Sequence, residues 1–175
     1  KDLKTILTKL QYSDDAKVVQ QITAQMKQVQ ARMAGIKQKL VVMSGKGGVG
    51  KSMTTVNLAL ALARQGAKVG LLDVDLNGPC VPRMMGLHGQ SLRMTAEGAQ
   101  PPVGPLGIKV ASMDFFFFFS SPVRWKGAMD LSPVWLGLME MNVIREFLAD
   151  VVWGELDYLL ADLPPGAAAD KPPVI

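Results

Sequence analysis

The chain has 175 residues, 49% of them hydrophobic and 19% charged, with a formal net charge of +4. That is enough for one sizeable core, and it excludes a disordered or low-complexity chain. The charge suits an anionic ligand but does not argue for nucleic acid, no apolar run nears the ~18–20 residues that span a bilayer, and a single cysteine, Cys80, excludes an internal disulfide framework and fits a reducing cytoplasm.

In chain order, Asp2 to Leu10 reads as a short amphipathic helix with Leu3, Ile6, Leu7 and Leu10 on one side. Ser13, Asp14 and Asp15 form a start signal for a second helix running to about Lys37. Its apolar stripe is Ile22, Met26, Val29, Met33, Ile36 and Leu40, stepping by four and three. Two uses of that stripe stand open: packing on the helix's own domain, or a dimer-forming coil. Residues 1–38 are therefore assigned to an N-terminal helical extension and 39–175 to one domain.

Leu40 to Met43 reads as a short buried strand, and it leads into Gly45-Lys46-Gly47-Gly48-Val49-Gly50-Lys51-Ser52. This run satisfies every fixed position of G-x-x-x-x-G-K-[ST], and a helix from Thr54 to Arg64 follows it. Glycines let backbone N–H groups close on phosphate oxygens, and the helix points its positive end at the same place. Lys51 is expected on the β- and γ-phosphates and Ser52 on Mg²⁺, with Met53 completing the binding run. Lys46 is a second lysine inside the loop.

Next comes a buried strand, Lys68 to Leu72, ending in Asp73-Val74-Asp75. Acids at a strand's carboxyl end lie where open α/β sheets bind ligands. Leu76 to Gly86 reads as a loop with a short helix, and 87–105 as an irregular excursion or hairpin. Leu106 to Met113 is expected as a third strand. Phe115 to Phe119 are five consecutive phenylalanines, which fit either a buried strand end or a docking surface. A helix is expected from Ser132 to about Asp150, then a turn at Trp153 to Leu156. A fourth strand, Asp157 to Asp162, ends in a carboxylate suited to Mg²⁺. Leu163-Pro164-Pro165-Gly166 forms a stiff turn beside it.

The two-lysine loop resembles the deviant phosphate loop of the MinD, ParA and nitrogenase iron-protein class. The match tightens over Lys39 to Ser52, Val69 to Asp75, Gly78 to Gly86, Arg124 to Met129 and Trp153 to Gly166. Those stretches resemble the Mrp/ApbC family of nucleotide-binding iron–sulfur cluster carriers. The resemblance implies an α/β, three-layer phosphate-loop NTPase fold with a mostly parallel sheet, preceded here by N-terminal helices. It also implies a cytoplasmic homodimer with ATP or ADP between subunits, acting on apo iron–sulfur client or scaffold proteins, with no nucleic acid or membrane partner.

By the same resemblance Lys46 acts across the dimer interface and Asp73 sits near the metal shell with Ser52 and Asp162. Asp75 positions the attacking water, and Pro164 to Gly166 sense the γ-phosphate. The chain departs from the family at Cys80, usually serine, and at Ala167 and Ala168, where a threonine and a glycine are usual. Asp170 is a candidate stand-in for the displaced acid, and slow hydrolysis is expected. The family's Cys-x-x-Cys cluster ligands are absent, so the sequence reads as an incomplete copy of a larger domain, its sheet incomplete too. Two other readings stay open: a positioning or partitioning ATPase, and a nucleotide-dependent scaffold with little hydrolysis.

Overall fold

A computed structural model describes residues 15–75, 78–115 and 144–165. The elements are α1 (Asp15–Ala34), β1 (Ile36–Val42), α2 (Lys51–Arg64), β2 (Val69–Asp73), α3 (Val81–Met84), β3 (Arg93–Thr95), β4 (Gly98–Gln100), β5 (Lys109–Ser112), a helical stretch α4 at 144–150, and β6 (Leu156–Asp162). Four strands form one sheet in the order β1-β6-β2-β5, and all three pairings are parallel. β3 and β4 form a separate antiparallel ribbon. This is the α/β, parallel-sheet fold that the strand–helix alternation predicts.

The central strands are built for burial. All five residues of β2 are buried, and the run Val69-Gly70-Leu71-Leu72 has no polar side chain to place, as parallel strands covered on both faces require. Gly70 serves a close approach. A Cβ there would lie 2.7 Å from a Leu156 methyl and 3.0 Å from the Trp153 ring. Trp153 is wholly buried, and its indole N–H donates to the Phe147 carbonyl at 3.3 Å. The expected turn at Trp153 is thus a core anchor, and β6 begins at Leu156.

The second helix ends at Ala34, three residues before the expected Lys37, and Ile36 opens β1. Ile36 and Leu40 continue the helical period in sequence but face strand partners, Leu156 and Leu160. The break comes at Gly35, where a Cβ would sit 3.0 Å from the Gly154 carbonyl oxygen. Of α1's stripe, Met33 packs against the core while Ile22 and Met26 are exposed. Arg32 donates to the Ala149 and Glu97 carbonyls, and Gln28 to the Ala149 carbonyl. The helix's second half therefore lies on its own domain.

The strand expected over Leu106–Met113 is shorter. Pro105–Gly107 forms a 3-10 turn with Leu106 at φ 58°, and only Lys109–Ser112 pairs with β2. The excursion at 87–105 contains the β3–β4 hairpin, and the short helix after Asp75 is α3. Phe115 is wholly buried. Phe116 to Phe119, Asp2 to Leu10, Arg124 to Met129, the first part of the Ser132 helix, Gly166 and Asp170 lie outside the described residues.

Candidate functional site

Register brings the candidate residues into one row. Val42 of β1 pairs with Asp162 of β6, Asp162 with Asp73 of β2, and Asp73 with Ser112 of β5. These are the last residues of four parallel strands, so the loops leaving them share one end of the sheet. The glycine loop leaves β1 at this end, and the β2–α3 connection leaves the same end from β2, on the other side of β6.

The loop surrounds open space. Gly48 and Gly50 have φ of 74° and 86°, a region that L side chains rarely adopt. A Cβ on Gly45, Gly47, Gly48 or Gly50 would meet no atom within 4 Å. These glycines are therefore not fitted to a neighbouring wall. No side chain caps α2, and no acidic residue lies in its first turn, which leaves its N-terminal amides for an anion. Just before the loop, the Ser44 Oγ is buried and has no hydrogen-bond partner among the described residues. Such an orphan has a real cost unless a ligand or water completes it.

Under the loop lies a buried cluster of charge and hydroxyls. Lys51 Nζ is 2.7 Å from Asp162 Oδ1, with the side chains 7% and 1% exposed. Ser52 Oγ donates to Asp162 Oδ2 at 2.5 Å. Thr55 Oγ1 donates at 3.1 Å to Asp162 Oδ1, and it also reaches the Lys51 carbonyl at 3.0 Å. One carboxylate thus gathers the loop's lysine and the first turn of α2. Its oxygens and the Ser52 hydroxyl make a donor set that fits a hard cation such as Mg²⁺, and Lys51 with the open loop fits a polyphosphate.

The other predicted residues are placed as follows. Lys46, Val49 and Met53 are exposed, as are the four loop glycines, and Pro164 is buried immediately beyond Asp162. Asp75 is half-buried, donates its N–H to Asp73 Oδ1 at 3.2 Å, and accepts the Gly78 N–H at 3.2 Å. Asp73 is wholly buried, and its oxygens accept from Asp75 N, Val81 N and Ser112 Oγ, each at 3.2 Å. None of those donors belongs to the glycine loop. Thr55, Ser44 and Ser112 were not singled out from sequence, because a lone hydroxyl carries no spacing signal.

Burial pushes the Asp73 carboxyl up to about 7; the Asp75 and Val81 amides and the Ser112 hydroxyl oppose this, while the Asp162 charge adds to it. In an unfolded chain this group titrates near ~4. Between those values the folded state holds a proton that the unfolded chain has released, so stability falls as pH rises through the window and levels off above it. Urea unfolding of the metal-free protein should show this loss, on the order of a few kcal/mol, and Asp73→Asn should flatten the profile. Identical pH profiles for the two proteins would exclude it.

Among the described residues no group of three or more His, Cys, Asp or Glu is placed to hold a metal ion, and no helix is long and apolar enough to cross a membrane.

Known proteins resemble this chain in sequence and fold. A family model described as ParA, NUBPL iron-transfer P-loop NTPase, matches residues 35–172. An iron-sulfur cluster carrier protein from Saccharolobus solfataricus is 49% identical over 154 residues, covering 87% of this chain and 49% of that protein. The cytosolic Fe-S cluster assembly factor NUBP2 of Homo sapiens is 42% identical over 136 residues, covering 78% of this chain and 48% of that protein. Among solved structures, the nucleotide-binding protein from Archaeoglobus fulgidus in complex with ADP matches with a TM-score of 0.67 and 42% identity, over 81% of this chain and 50% of that one. The chain spans about half the length of the curated relatives it matches.

Proposed function

The chain belongs to the ParA family of NUBPL-type iron-transfer P-loop NTPases, and from that premise we propose that it is the phosphate-handling part of an ATP-hydrolysing iron–sulfur cluster carrier. It works as a nucleotide-sandwich homodimer in the cytoplasm and passes clusters, its cargo, to apo iron–sulfur client proteins. One observation carries the nucleotide part of this reading: the buried Lys51–Asp162–Ser52 cluster under an open glycine loop.

The chemistry follows from charge. Lys51 is paired with Asp162 at 2.7 Å. An incoming polyphosphate offers a denser negative charge and draws the lysine toward the loop. Asp162 and Ser52 are then free to act as oxygen ligands. They would hold Mg²⁺, which would supply neutralisation of phosphate charge. The loop amides and the first turn of α2 hold the phosphates in place. Asp75, at the rim, orients the attacking water. Pro164 ties the Asp162 strand end to the turn that senses the γ-phosphate. Catalysis of this kind is positioning and charge stabilisation.

The test uses the natural gene product expressed to its own stop codon. Calorimetric titration should show ADP binding, and anaerobic assay should find iron and acid-labile sulfide shared across a dimer. No iron after reconstitution would remove the carrier reading and leave only the nucleotide chemistry. Lys46 makes a separate prediction. It is exposed rather than folded into its own loop, so Lys46→Ala should leave ADP affinity intact and slow hydrolysis at least about tenfold. Unchanged single-turnover hydrolysis would sink the assignment of Lys46 across the interface.

A further inference from the structure

Asp73 is the second carboxylate in the row of strand ends, and the chain itself occupies it. Its Oδ1 accepts the Asp75 N–H, while its Oδ2 accepts the Val81 N–H and the Ser112 hydroxyl. Asp75 and Val81 mark the two ends of the connection from β2 to α3. One buried carboxylate therefore pins both ends of that connection. Ser112 is the only one of the three donors that comes from another strand, β5. It is wholly buried, and its Oγ accepts the Asp114 N–H at 3.2 Å. That bond occupies a lone pair of Oγ and leaves its hydrogen for Asp73.

We propose that Ser112 is a positioning residue for hydrolysis: through Asp73 it fixes the backbone of Asp75 in the place from which that residue orients the attacking water. A carboxylate can swing about its last torsion, which is broad. Two amides of one connection cannot hold it alone, because they move with the connection they are meant to fix. The Ser112 hydroxyl stands on a paired strand, with Ala111 and Ser112 registered against Leu72 and Asp73. It supplies the fixed reference. Asp73, on this view, acts through the protein rather than on the metal. The proposal rests on the reading of Asp75 given above.

The full-length protein with Ser112→Ala tests this. The kcat for ATP hydrolysis should fall on the order of tenfold, since small misplacements of a reacting group are expensive. ADP affinity should stay within about twofold, because the interaction lost belongs to the reaction and not to ground-state binding. Ser112→Cys keeps the volume and weakens the donor, so it should show the same split if the alanine variant does not fold. Ser112→Thr, which keeps the hydroxyl, should restore kcat. Hydrogen exchange at the Asp75 and Val81 amides should quicken in the alanine and cysteine variants. Retained kcat in the cysteine variant, or kcat and ADP affinity falling together, would overturn the proposal. If the wild-type protein does not hydrolyse ATP, the Asp75 reading fails by itself. The positioning claim is then decided by exchange alone, and unchanged exchange overturns it.

Discussion

Lys51→Ala is expected to weaken ADP binding sharply and to destabilise the protein itself at the same time. The two losses have different causes. Lys51 Nζ lies 2.7 Å from Asp162 Oδ1, and both side chains are almost wholly buried. Taking away the cation leaves a carboxylate whose partners among the described residues are the Ser52 and Thr55 hydroxyls. Breaking a buried pair from one side costs about 3–5 kcal/mol, because the remaining charge is stranded. With ligand, the missing ammonium no longer meets the phosphates. A hydrogen bond to a charged group contributes about 1.5–3 kcal/mol, so ADP affinity should fall on the order of a hundredfold. A double variant separates the causes. Adding Asp162→Asn removes the stranded charge and should recover most of the stability, while ADP binding stays weak. Unaltered ADP affinity in Lys51→Ala would refute the site.

Trp153→Ala should be the most damaging core substitution away from the loop. The indole is wholly buried against Gly70, Leu156 and the rest of the central core. No side chain at Gly70 can fill the space left behind. Truncating a buried tryptophan costs about 3–5 kcal/mol. The Phe147 carbonyl also loses the indole N–H but still accepts the Val151 N–H at 3.3 Å, so the stability loss comes mainly from the cavity. For a chain of this size, that loss should lower the melting temperature by roughly 10 °C. Trp153→Phe keeps the ring but not the donor and should cost less. A loss under about 1 kcal/mol in urea unfolding of the alanine variant would contradict the placement of this residue.

How much was legible depended on whether the signal was local. β2 and β6 are short apolar runs ended by an acid, and both lie where the pattern placed them. The glycine loop and α2 carry their own punctuation. The α1–β1 junction misled, because Ile36 and Leu40 extend a period-3.6 pattern into a strand. What stops the helix is the approach of the Gly154 backbone to Gly35, a contact 119 residues away that no window reveals. The strand at Leu106 was over-extended for a similar reason. Gly104, Pro105 and Gly107 signalled a turn, but the apolar Leu106 masked it. Within the site, Lys51, Ser52 and Asp162 could be named from motif and strand end. Thr55, Ser44 and Ser112 could not, since each matters only through the register that sets four strand ends side by side.

β1 carries the phosphate loop, yet among the described residues it pairs on one side only, with β6. Lys37 through Leu40 are exposed along it. Among the described residues its other edge has no strand partner, and such an edge is a template for adding another strand. Lys39 guards that edge by turning its ammonium onto the Ile36 carbonyl at 2.9 Å, whereas the charge of Lys37 is already answered by Asp157 at 2.7 Å. A cationic guard works only as far as its field reaches, and at 1 M salt that distance shrinks to about 3 Å. Wherever that edge stays open, concentrated salt weakens its guard, so the colloidal behaviour of this stretch and its ligand chemistry hang on the same strand.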